Sequence, residues 1–240
     1  MTATLAFALA GAAAAQTGLR IDKSEPMGDW EKVTVAGTAL FVTATPNSRL
    51  ARAYCLSSYL KVPYDEIPNL GAEAGAAAEK IGASRAYACL RLACHRSGAN
   101  EIEVSLVANA TPEPGETGMP LGVSLRLRFA AGETPVSLFE RADAGQPSRA
   151  GGLEMLTWSV SDRRDGADGP YAQVGLSFSA PISFVERLAA KPRVAFHLLP
   201  GQDRQIAAFK HGARTMEFSL ARTADVAAEL RGLCARPRGN

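Results

Sequence analysis

Polar and apolar residues alternate along most of the chain, and the alternation predicts strands. Lys32 to Thr45, "KVTVAGTALFVTAT", alternates and is rich in Val, Thr and Phe, and the Ala-Gly step at its middle predicts a hairpin or a bulge. In "PNSRLARAYCLSSYLK" the pattern changes. Pro46 and Asn47 or Ser48 can open a helix that puts Leu50, Tyr54 and Leu60 near one face. A strand pair competes there, because Tyr54, Leu56 and Ser58 also alternate. "VPYDEIPNLGAEAGAAAEKIGASR" is the least regular part. Its prolines make a loop, and Gly71 to Lys80 reads either as a short Ala/Glu helix interrupted by Gly75 or as a mobile insert.

After Ser84 the texture is strand and turn. Tyr87 to Cys94 and Glu101 to Ala108 read as two strands joined by "RSGAN". In the second, Ile102, Val104, Leu106 and Ala108 share a face, and Glu101, Glu103 and Ser105 share the other, expected to be solvated. "LGVSLRLRF" puts Val123, Leu125, Leu127 and Phe129 inward and Ser124, Arg126 and Arg128 outward, where the arginines can pair with Glu101 and Glu103 across strands. "TPVSLFER", "LEMLTWSVS" and "YAQVGLSFSA" read as further strands, separated by polar loops at Thr111–Pro120, Ala142–Gly152 and Arg163–Gly169. Then the period lengthens. "PISFVERLAAKP" predicts a short helix with Ile182, Val185 and Leu188 on one side and Pro192 as its stop. "RVAFHLLPG" returns to strand, "QIAAFKHGARTMEFSL" to a hairpin turning at His211-Gly212. "TADVAAELRGLC" predicts a last helix with Val226, Leu230 and Leu233 inward. Trp30 and Trp158 read as core or edge anchors. The fold class expected is mainly β: an antiparallel β-sandwich-like domain with two short C-terminal helices.

Composition narrows the setting. In 240 residues, 47% hydrophobic and 21% charged, there is enough apolar material for an ordinary core. A net charge of +2, with no Lys/Arg block, gives no electrostatic ground for nucleic-acid binding. Residues 2–15 are uncharged and small or apolar, and Ala13-Ala14-Ala15 matches what signal peptidase accepts, although no Lys or Arg precedes the run. The run is shorter than the roughly 20 apolar residues that a spanning helix needs, and no other stretch approaches that length. The expected organisation is a signal peptide at 1–15, a β/helical segment at 16–84, a sandwich-like domain at 85–234 and a tail at 235–240. The mature chain is expected in the periplasm or outside the cell, without an integral membrane segment.

Chemistry starts from Cys55, Cys89, Cys94 and Cys234, an even number that favours disulfides in an exported chain. The spacing does not suit zinc, since close C-x-x-C pairs are missing and His95, His197 and His211 are scattered. Cys94 and His95 adjoin, but neighbours on a strand point to opposite faces, so His95 cannot serve Cys94 as a base without a bulge. The same rule puts Cys89 and Cys94 on opposite faces. They require two different partners, and Cys55 and Cys234 are available. Ser58-Tyr59-Leu60-Lys61 is an S-x-x-K, the spacing that places serine and lysine on one helical face in penicillin-recognising enzymes. Lys210-His211-Gly212 and Ser161-Asp162 only partly match that family's other motifs. G-x-S-x-G, H-E-x-x-H, P-loop and Rossmann patterns are missing, and no cofactor is expected. Arg149, Arg163 and Arg164 make the last two loops a modest cationic set suited to an acidic partner.

Over residues 86–234 the order of elements resembles a known family. A strand ends in Cys94, followed by an acidic strand ("NEIEVSLV"), an Arg-bearing strand ("VSLRLRF"), a Trp strand ("TWSVS") and a short helix ("ISFVERLA"). A strand ending in Pro-Gly ("VAFHLLPG"), a Phe strand ("MEFSL") and a helix ending in Cys234 complete it. This is similar to periplasmic VasI-like proteins associated with type VI secretion, and more distantly to invasion-associated locus B proteins. The resemblance implies a fold and a compartment more than a task. It also implies a Cys94–Cys234 disulfide, which leaves Cys55 with Cys89. The function expected is therefore non-catalytic: an accessory or binding protein of the cell envelope with a protein or cell-wall partner. The alternative is a serine hydrolase or penicillin-interactive enzyme using Ser58 and Lys61.

Overall fold

The computed structural model describes residues 20–71, 73–95, 100–110, 124–128, 136–140, 149–150, 153–160, 164–166, 168–199 and 214–235. The signal sequence expected at 1–15, Arg163, the Thr111–Pro120 loop and the His211-Gly212 turn lie outside these residues.

The chain enters through β1 (Ile21–Met27), β2 (Trp30–Val35) and β3 (Thr38–Thr45), an antiparallel meander. The Ala-Gly step is a hairpin turn between β2 and β3. Ala36 and Gly37 both have positive φ, 48° and 73°, the geometry that lets a two-residue turn follow the strand twist. Next comes α1 (Arg49–Leu60), where Ser48 resolves the helix-or-strand ambiguity: its side chain accepts the N–H of Ala51 at 3.1 Å, as an N-cap does. Among the described residues of 62–84 are a 3₁₀ turn at Tyr64–Glu66 and α2 (Ala74–Gly82). The small residues Gly75, Ala78 and Gly82 form the buried face of α2, so it lies close on α1.

The strands expected after Ser84 follow as β4 (Ala88–Cys94), β5 (Glu101–Ala110), β6 (Ser124–Arg128) and β7 (Val136–Glu140). β8 (Arg149–Ala150), β9 (Leu153–Val160), β10 (Arg164–Gly166) and β11 (Gly169–Pro181) come next, with β8 and β10 inside segments expected to be loop. The chain ends with α3 (Ser183–Ala189), β12 (Arg193–Leu199), β13 (Arg214–Ser219) and α4 (Thr223–Cys234).

Among the described residues two antiparallel sheets form. One has the order β1-β2-β3-β4-β5-β11-β9-β8, with β10 added beside β11. The other has the order β13-β12-β6-β7. The mainly β, sandwich-like fold with two short C-terminal helices is thus what the chain adopts. The larger sheet runs unbroken across residue 84, because β3 pairs with β4 from Leu40↔Ala93 to Thr45↔Ala88.

Strand alternation divides the core in two. One face of the large sheet carries Phe41, Leu90, Leu92, Ile102, Val104, Leu106, Leu176 and Phe178. It packs with Val194, Phe196, Met216 and Phe218 of the second sheet and with Phe184, Val185, Val226 and Leu230 of α3 and α4. Phe178 and Phe184 meet edge to face at 5.7 Å, as do Phe196 and Phe218 at 6.0 Å. The opposite face of β2–β4 carries Val33, Leu40, Val42, Ala44 and Cys89 and is covered by α1 and α2. A third, helical layer therefore lies where alternation alone would place water.

Three expectations need correction. Leu233 is 43% exposed. The inward row of α4 runs Val226, Leu230, Cys234, steps of four that each advance about 40° around the helix and leave Leu233 about 60° from the centre of the row. Arg126 and Arg128 cannot pair with Glu101 and Glu103 across strands. Their strand, β6, belongs to the second sheet and opposes β12 and β7, whereas β5 is flanked by β4 and β11. The Glu101, Glu103, Ser105 face is solvated only at its start: Glu101 is exposed, Glu103 half-buried and Ser105 buried.

Polar side chains tie the first hairpin to the last corner. Trp30 is fully buried and its indole N–H donates to the Thr223 hydroxyl at 2.9 Å. Asp29, in the β1–β2 turn, accepts from the Ser219 hydroxyl, the Ala221 N–H at 2.7 Å and the Asn47 amide. Asn47 in turn accepts from Arg52 at 2.8 Å, and Arg52 lies 3.4 Å from the buried Glu31 carboxylate, which also accepts from Ser24. Burying Glu31 and Arg52 costs desolvation, and these hydrogen bonds offset it.

Candidate functional site

All four cysteines are in disulfides. Cys94 joins Cys234 with Cα atoms 5.3 Å apart, and Cys55 joins Cys89 at 6.1 Å. Cys89 points into the helix-covered core and Cys94 toward the inter-sheet core, as alternation requires. The first bond pins the end of β4 to the last turn of α4, and the second pins α1 to the outer face of β4. Cys94 therefore carries no thiol for His95 to activate. The His95 side chain is 18% exposed, with Nδ1 3.6 Å from the Glu101 carboxylate, and the His95 backbone N–H donates to the Glu101 carbonyl at 2.9 Å.

The helix carrying Ser58 ends at Leu60. Lys61 takes the left-handed cap position, φ 59°, is exposed, and donates its N–H to the Ser57 carbonyl. The S-x-x-K spacing thus has its serine in the last turn and its lysine outside the helix. Of the cationic loop residues, Arg149 lies in β8 opposite Glu154, and Arg164 is exposed in β10 opposite Tyr171. Among the described residues no group of three His, Cys, Asp or Glu side chains is placed to hold a metal, and no helix is long and apolar enough to cross a membrane.

The side chains that do converge were not evident from motifs. All five tyrosines of the chain gather around α1, the Tyr64 turn, β4 and β11. Tyr54 meets Tyr87 edge to face at 4.9 Å, and the Tyr64 hydroxyl donates to Glu79 at 2.7 Å. Burial pushes the Tyr54 phenol up to about 12, with Tyr171 and Glu79 adding to the rise. Burial and the bond to Glu79 raise Tyr64, and burial holds Tyr87 well above its ordinary value. These phenols stay neutral and can only exchange hydrogen bonds at working pH.

At the rim of this cluster stands Arg91. Its guanidinium carbon is 3.8 Å from the centre of the Tyr59 ring, a cation–π stack. Arg91 Nε is buried with no hydrogen-bond partner among the described residues. Burial disfavours its charge, and Tyr59, Tyr87 and Glu103 oppose that effect. An arginine nevertheless stays protonated in a protein. Arg91 sits beside Ser105 on β5, which sits beside Ser177 on β11. The two hydroxyls are 2.7 Å apart, and Ser105 donates to Glu103 at 3.2 Å. Chemically the arrangement offers a cation beside an aromatic ring, with its buried Nε lacking an acceptor among the described residues, and a short line of hydroxyls.

In sequence, Arg91 looks like any outward residue in "CLRLAC". The signal that finds it is the second disulfide. If Cys55 lies over Cys89, then Tyr59, four helical residues on, lies about 6 Å further along α1. Arg91, two strand residues on, lies about 6.6 Å further along β4. The two steps match, so the ring falls over the guanidinium.

The chain matches no protein-family model, no curated protein and no solved structure.

Proposed function

We propose that this chain is a non-catalytic binding or accessory protein of the cell envelope, exported to the periplasm or beyond. The observation that carries the proposal is that every cysteine is consumed in one of two cross-links. Disulfides of this kind form and persist in oxidising compartments. The uncharged run at 2–15 supports export, and the resemblance of residues 86–234 to VasI-like proteins supports an envelope role linked to secretion. A cross-linked sandwich leaves recognition to its loops and the short strands within them, and the cationic set of Arg149 in β8, Arg163, and Arg164 in β10 suits an acidic protein or cell-wall partner.

The test is fractionation followed by capture. The native protein is expected in the periplasmic or extracellular fraction, lacking residues 1–15 and with no thiol available to alkylation before reduction. Capture from that fraction should weaken when the three arginines are neutralised. Retention of residues 1–15 in a cytosolic protein with free thiols would overturn the compartment. Covalent labelling of Ser58 by a fluorophosphonate or a penicillin probe, lost in Ser58→Ala, would replace the binding role with the hydrolase alternative.

A further inference from the structure

We propose that Arg91 and Tyr59 form a recognition site for a carboxylate on a small polar ligand, with Ser105, Ser177 and Glu103 receiving the ligand's neutral body. The inference uses none of the loop arginines, so it and the loop reading can fail separately.

Three observations carry it. The first is the unmet donor. A buried guanidinium N–H without an acceptor loses the hydrogen bonds it had in water, and such groups are rarely left unpaired without a reason. Its fork geometry matches a carboxylate in bidentate fashion. The second is Tyr59, on the last turn of α1, a large aromatic left 43% exposed while Tyr54, Tyr87 and Tyr171 are buried and Tyr64 is half-buried. Its ring lies 3.8 Å from the guanidinium carbon and keeps exposed aromatic surface beside that cation. The third is the polar ledge beside it. Strand pairing lines Arg91, Ser105 and Ser177 across three adjacent strands, with Ser105 as a buried floor and Ser177 half-buried.

The same ledge narrows the ligand. Glu103 lies two residues from Ser105 on the same face and is close enough to act on the charge of Arg91, yet it accepts its hydrogen bond from the Ser105 hydroxyl. Its negative charge disfavours a dianion, such as a phosphate monoester, more than a carboxylate. It also accepts from a hydroxyl or amide N–H of the ligand, as the serines can. The chemistry is thus a monoanionic carboxylate attached to a hydroxyl- or amide-bearing body, found on a peptide with a free C-terminus or on a sugar acid.

The test uses the full chain, isotopically labelled, with the Arg91 side-chain N–H and the Tyr59 ring followed by NMR. Three probes are titrated: N-acetyl-Ala-Ala with a free carboxylate, the same dipeptide amidated, and glucuronate. At least one acid is expected to give a saturable shift at Arg91 and Tyr59 in the millimolar range or tighter, and the amide none. Saturation by the dipeptide acid alone assigns a peptide source, and by glucuronate alone a sugar-acid source. Arg91→Lys keeps the charge but loses the fork, and is expected to weaken binding about tenfold or more. Tyr59→Phe should bind as the parent does and Tyr59→Ala several-fold more weakly. Tyr59 is exposed, so this pair reads the site without unfolding it. No saturation by either acid, equal binding of the amide, or undiminished binding in a folded Arg91→Lys would overturn the proposal.

Discussion

At the scale of single residues, two small residues sit where their surroundings leave little choice, Ala36 through its backbone and Gly82 through the ring beside it. Ala36 has φ 48° in the β2–β3 turn, a region where a Cβ costs roughly 1–2 kcal/mol and which asparagine tolerates better. Ala36 is exposed, so replacement disturbs no packing. Ala36→Asn is expected to raise the thermal midpoint by about 2–4 °C per kcal/mol recovered, as read by circular dichroism. Gly82 is the opposite case. A Cβ there would meet the ring of Tyr54, which is buried and held edge-on by Tyr87. Gly82→Ala reduces the freedom of the unfolded chain by about 0.4–1 kcal/mol in favour of folding, but overpacking costs about 1–3 kcal/mol. The second effect is larger, so urea denaturation should show net destabilisation.

At the scale of elements, α4 depends on its tie to β4. Twelve residues are too few for a stable helix in isolation. What seats it is Val226, Leu230 and Cys234 on the inter-sheet core, the Thr223–Trp30 hydrogen bond at its start and the Cys94 bond at its end. That bond spans 140 residues of sequence, so the loop-entropy model assigns it roughly 5 kcal/mol. The double variant Cys94→Ser/Cys234→Ser is expected to lose a large part of that stability in urea. It should also show faster amide exchange in α4 than in β5. Loss of stability without preferential exchange in α4 would show that the bond does not act through this helix.

At the scale of the whole molecule, the ends of the fold meet through Asp29. Burial alone would raise its carboxyl. Hydrogen bonds from Ser219, the Ala221 N–H and Asn47, with the charge of Arg52, outweigh that and hold it below its ordinary value. A carboxyl depressed in the folded state binds fewer protons there than in the unfolded chain. Its contribution is therefore present in full above the unfolded value, near 3.9, and is lost as pH falls through the lower folded value. The protein is expected to lose stability on acidification below about pH 4 partly through this group. Asp29→Asn should lower stability at pH 7 and flatten the acid limb of the stability curve, as measured by denaturation at a series of pH values. An unchanged acid limb would place the sensitivity in other carboxylates.

Much of this molecule was legible from periodicity, because a strand with one buried face must alternate. Ile102, Val104, Leu106 and Ala108 go inward for that reason, and the same rule sends Cys89 and Cys94 to different partners. Local chemistry also placed a hairpin or a bulge at Ala36-Gly37, where a hairpin turn forms, and predicted the short C-terminal helices. Tertiary structure decided what covers each face. Alternation names two sides of a strand but not their neighbours, so it could not tell that α1 sets Tyr59 against Arg91. Nor could it tell that β6 leaves the large sheet, which separates Arg126 and Arg128 from Glu101 and Glu103. The phase of α4 depended on the same kind of contact: Leu233 and Cys234 are adjacent, and the bond to Cys94 puts Cys234 on the seam and Leu233 in water. A one-dimensional pattern records which residues avoid water on average. Which surface shelters them depends on long-range pairing, and that pairing sets the half-buried Arg91 against an exposed tyrosine.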